Sequence, residues 1–114
     1  MECVSLTGIK FSPRSVEAIG EFRRKHRLAR LLTGALPAGT MATIFVGNDA
    51  LKASFSAFSS DFKVLAEAMK SVPDIERKVL SDIAQYAALD TAGSESLFWR
   101  QVAKGIQNGC TYSF

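Results

Sequence analysis

Hydrophobic and polar positions change their period several times along the chain, and each change predicts an element. Val4 and Leu6 alternate with Ser5 and Thr7, and the alternation resumes after Gly8 in the opposite phase at Ile9 and Phe11. Period two predicts a strand over residues 4–11, and a glycine at a phase change predicts a bulge at Gly8. Ser12-Pro13 then opens a helix: Ser12 is the candidate cap, and Pro13 suits the first helical position because its missing N–H has no helical partner there. That helix is expected over residues 12–32, stopping at Gly34, with Ile19, Phe22, His26 and Ala29 as its buried stripe. A loop with Gly34, Pro37 and Gly39 separates it from Met41 to Val46, an almost wholly apolar run expected to be a second strand buried on both faces.

Beyond Gly47-Asn48-Asp49, the apolar residues Leu51, Phe55, Phe58, Phe62, Leu65, Met69 and Val72 recur at helical spacing. They predict helix from about residue 51 to 72, with Ser59-Ser60-Asp61 as the point where it divides. Pro73 begins a further helix, whose expected buried face is Ile75, Val79, Ile83 and Tyr86. Asp90-Thr91-Ala92-Gly93 ends it. A last helix, capped by Ser94 or Ser96, groups Phe98, Val102 and Ile106, and residues 110–114 read as a short strand. The expected fold class is α+β: one helix-dominated domain spanning residues 1–114, with two or three short strands packed against four or five helices.

Composition supports a packed domain. Apolar residues make up 47% of the 114 and charged residues 22%, and eight phenylalanines supply bulk for a core. No apolar run approaches the roughly 20 residues that span a bilayer, and residues 1–5 lack the basic start and apolar stretch of a signal peptide. The sequence therefore points away from a membrane partner and towards the cytoplasm, of a cell or of a host. The two cysteines, Cys3 and Cys110, lie near opposite ends without metal-binding spacing, and reduced thiols are the expectation.

Charge adds the sharpest feature. The net charge of +3 is unevenly spread. Residues 10–30 hold seven basic side chains against Glu17 and Glu21, whereas the rest of the chain is slightly acidic. Within that helix Arg23, Arg27 and Arg30 form one stripe, with Arg24 beside Arg27. The stripe borders the expected buried face. Guanidinium forks match phosphate or carboxylate oxygens, so the pattern suits nucleic-acid phosphates or an acidic protein surface. Basic residues near a helix C-terminus are also favoured by its dipole with no ligand at all.

Catalytic chemistry finds no support. The single histidine, His26, falls on the expected core stripe, and no HExxH, nucleophile elbow or P-loop ending occurs. Carboxylates are scattered, so catalytic residues, metal ligands and cofactors are all expected to be none. Residues 83–89 and 94–104 resemble a helix-turn-helix, but the intervening turn is about three residues too long for that motif. Phe98 and Trp99 are adjacent and are not expected to face one core together, so one of them is the candidate interface aromatic. The leading expectation is a non-enzymatic binding protein that engages nucleic-acid phosphates through its basic helix. The alternative is a small protein–protein interaction module: an inhibitor, an adaptor, or a self-assembling subunit that forms homo-oligomers.

Overall fold

The computed structural model describes residues 3–24, 55–57 and 59–107. Within them the order is β1 (Leu6–Ile9), α1 (Pro13–Arg23), β2 (Phe55–Ala57), α2 (Ser59–Met69), α3 (Asp74–Leu89) and α4 (Gly93–Ile106). Helices dominate, as expected, and the sheet is minimal: β1 and β2 form one antiparallel pair. The expected strand at residues 41–46, the end of the basic helix beyond Arg24 and the terminal strand at 110–114 lie outside the described residues.

Gly8 behaves as its phase change predicts. The ladder pairs Leu6 with Ala57 and Ile9 with Phe55, and the register shifts between them. Gly8 sits in that irregularity at φ 65°, a left-handed conformation that a side chain disfavours. The result aims both Leu6 and Ile9 into the core.

β2 corrects the expected helix from residue 51. Phe55 and Phe58 keep helical spacing with Phe62, yet residues 55–57 are extended and α2 begins at Ser59. Hydrogen bonding accounts for the switch. β1 has an edge to pair, and Ser5 Oγ accepts the Ser59 backbone N–H at 2.8 Å, which satisfies a donor at the start of α2. From there the stripe is as expected, with Phe62, Leu65, Met69 and Val72 buried.

α4 lies at the centre. Phe98, Trp99, Gln101, Val102, Ala103, Gly105 and Ile106 are all buried, and the helix touches α2, α3 and β1. Gly105 sets the approach of α2, because a Cβ there would stand 3.3 Å from a Leu65 methyl. The Gln101 amide binds the chain ahead of β1 as a strand would: Oε1 accepts from Val4 N at 2.7 Å and Nε2 donates to Val4 O at 2.9 Å.

α1 starts differently from expectation. Pro13 is the first helical residue, but the Ser12 side chain caps no helical N–H. Glu95 of α4 takes both Ser12 donors instead, the N–H at 2.7 Å and the Oγ–H at 2.9 Å. Its carboxylate also suits the positive end of the α1 dipole.

Cys3 is buried and disulfide-bonded, so it is not the reduced thiol expected. The chain's other cysteine, Cys110, lies outside the described residues. Disulfides persist in oxidising compartments and are rare in the cytoplasm. No helix among the described residues is long and apolar enough to cross a membrane.

Gly8→Ala should lower stability by roughly 1–2 kcal/mol, because it places a Cβ in a left-handed backbone. Urea unfolding of both chains checks this, and an unchanged midpoint would mean that Gly8 is not held at positive φ.

Candidate interaction surface

Of the four arginines expected to bind, two are among the described residues. Arg23 occupies the last turn of α1, half-buried, and Arg24 is its exposed C-cap. Arg27 and Arg30 lie outside the described residues. Ile19 and Phe22 are buried as expected, so the two arginines border the packed face. Arg14 is engaged elsewhere. Its Nε donates to Asp90 at 2.8 Å, and that bond raises its pKa above the ordinary guanidinium value.

Phe98 and Trp99 are both fully buried, which overturns their candidacy as an interface aromatic. Two adjacent helical residues cannot share one flat face, but α4 is surrounded on several sides. Trp99 stacks on Phe22 of α1 with ring centroids 5.7 Å apart and planes 2° from parallel. Phe98 meets Trp99 edge-on at 5.1 Å and Phe62 of α2 at 6.1 Å. Phe11 closes the group against both. Trp99 Nε1 donates to Ser15 Oγ at 2.7 Å, and the Ser15 hydroxyl donates in turn to Glu95. This Trp–Ser–Glu chain has the donors and acceptors of a reactive site, but Ser15 is sealed in the core, out of reach of a substrate. Its role is to satisfy buried polar groups.

Among the described residues, the exposed large apolar side chains are Val4 and four on α3. Ile75, Val79, Tyr86 and Leu89 are 82%, 41%, 63% and 79% exposed. They fall within about 80° of one another around the helix and extend over about 21 Å of it. Three of the four residues expected in the core thus face solvent, and Ile83 alone packs against it. The buried face is the opposite one, with Leu80, Ala84, Ala87 and Ala88.

α3 and α4 form an antiparallel hairpin. Ser96 Oγ donates to Ala88 O at 2.8 Å at one end, and Gln107 reaches Ser81 near the other. Between the helices runs an open groove of about 430 Å³, lined by Gln85, Ala88, Leu89, Arg100, Ala103 and Lys104. Arg100 and Lys104 are exposed, one turn apart on α4, and neither makes an ion pair among the described residues. Basic groups of α3 are already paired: Arg77 with Asp74, and Lys78 with Asp82 at 3.3 Å. The pairing of α3 with a buried α4 also leaves no projecting second helix of the helix-turn-helix kind.

Among the described residues, no three His, Cys, Asp or Glu side chains gather closely enough to hold a metal ion. No protein-family model, curated protein or solved structure matches this chain.

Sequence reasoning missed the face of Ile75, Tyr86 and Leu89 and the cations Arg100 and Lys104. A signal was present. α3 is apolar on two sides, one of large residues and one of alanines, and only one side can pack against α4. Small side chains let the two helices approach closely, so the alanine side is buried.

Trp99→Ala should cost about 3–5 kcal/mol, as for large buried aromatics, whereas Leu89→Ala should change stability by no more than about 0.5 kcal/mol. Chemical denaturation measures both. Equal losses would mean that Leu89 is covered in the protein.

Proposed function

We propose that the chain is a small protein-interaction module whose contact surface is the outer face of α3. The carrying observation is the exposure of Ile75, Tyr86 and Leu89 along one side of a helix whose other side is fully packed. Single exposed apolar residues are ordinary on any surface, but several along one side of a helix are what interaction sites use. An amphipathic helix with two apolar faces serves two purposes: one holds the fold and the other meets a partner. The aromatic of this surface is Tyr86, in place of Phe98 or Trp99. Homo-oligomers and complexes with another protein both belong to this reading.

The test is a double variant, Ile75→Asp with Leu89→Asp. Both positions are solvent-facing, so the thermal midpoint should stay within a few degrees. Cross-linking with mass spectrometry, applied to native and variant chains in cells, should show partner cross-links around α3 that the variant loses. An identical cross-link map for both chains would sink the reading.

A second reading rests on the charge segregation between residues 10–30 and the rest of the chain. In it the protein binds nucleic-acid phosphates, without base readout, through Arg23, Arg24, Arg27 and Arg30. Fluorescence anisotropy with labelled DNA and RNA should then show affinity falling steeply with salt. Each Arg→Ala change should reduce the slope by roughly one phosphate contact. Binding that is absent at ~0.15 M salt, about physiological ionic strength, would rule this out. Both readings are non-enzymatic.

A further inference from the structure

We infer that the groove between α3 and α4 receives an acidic amphipathic segment of a partner protein. The inference rests on the interaction face proposed above and specifies what that face binds.

The floor and the wall of the groove differ in chemistry. Ala88 and Ala103 make a shallow apolar floor, with Leu89 beside them, and their small side chains leave room for a larger one to enter. Arg100 and Lys104 stand on the α4 wall with about one helical turn between them. Arg14 of α1 and both basic groups of α3 find acidic partners close by, in Arg14–Asp90, Arg77–Asp74 and Lys78–Asp82. Arg100 and Lys104 find none among the described residues. Negative charge on a partner would complement them, and the groove beside them suits an apolar group on the same segment.

A helix meets both demands. Its apolar side chains at three- and four-residue spacing would lie over Ala88, Ala103 and Leu89. Carboxylates one turn apart on its flank would face Arg100 and Lys104. Arg100 can hold a carboxylate by two parallel bonds, and Lys104 offers a point charge. The cations give direction and selectivity, and the apolar contact gives most of the affinity.

The test uses the full chain and two labelled synthetic helical peptides. Both carry leucines on one face. One has glutamates on its flanks, and the other has lysine in place of every glutamate. The expected result is that the glutamate peptide binds at least about tenfold more tightly, a difference worth ~1.4 kcal/mol. Arg100→Glu with Lys104→Glu should reverse the preference, and Leu89→Asp should weaken both peptides. Equal binding of the two peptides, unaffected by charge reversal but weakened by Leu89→Asp, overturns the acidic partner and leaves the interaction face standing. No effect of Leu89→Asp on either peptide, or no binding of either, overturns the groove as a site; the cross-link map then judges the face by itself. Sedimentation of the chain alone completes the set. A dimer that Leu89→Asp returns to monomer would make the occupant a second copy and overturn the inference.

Discussion

Trp99 is the side chain on which the rest of the architecture depends. Its ring lies flat on Phe22, edge-on to Phe98 and within reach of Phe11, so one residue of α4 fixes α1 and the segment after β1 together. Its indole N–H would be costly to bury alone. Ser15 Oγ accepts its hydrogen bond and donates one to Glu95, which also holds Ser12. Packing and polar satisfaction thus converge at one place, and they agree on where α1 must begin. A fold with a two-stranded sheet needs such a centre, because so short a ladder contributes little independent stability.

The two apolar sides of α3 show how packing distance decides exposure. Hydrophobicity alone would bury Ile75, Val79, Tyr86 and Leu89, the larger residues. The helices instead meet through Ala84, Ala87 and Ala88, where backbones come close and many small contacts add up. The larger side chains are left outside, and Leu89 among them borders the groove that Arg100 and Lys104 line.

Much of the fold was legible where local chemistry is decisive. Gly8 announced a bulge by breaking the alternation, Pro13 and Pro73 marked helix starts, and the run from Phe62 to Val72 kept a single face. The failures came where a pattern fits two answers. Phe55 and Phe58 continue the helical spacing of Phe62, and only the free edge of β1 and the Ser5 hydroxyl make residues 55–57 a strand. Adjacent Phe98 and Trp99 suggested one exposed ring because a helix was pictured with one neighbour, whereas α4 has several. Of the candidate surface, Arg23 and Arg24 were visible as charge. Arg100 and Lys104 were not, since two cations in an ordinary helix gain meaning only beside the groove.

The cap that Glu95 supplies to Ser12 carries a consequence for how the chain reaches its fold. Eighty-three positions separate the two residues, and Gln101 grips Val4 across a still longer interval. β1 and α1 are therefore completed by a helix synthesised much later. Until α4 emerges, α1 lacks its cap and its aromatic partner, and β1 lacks the amide that holds its approach. Such distant contacts slow folding, because a long loop must close before any of them is rewarded. β1 and α1 must wait, uncommitted, for a helix not yet made.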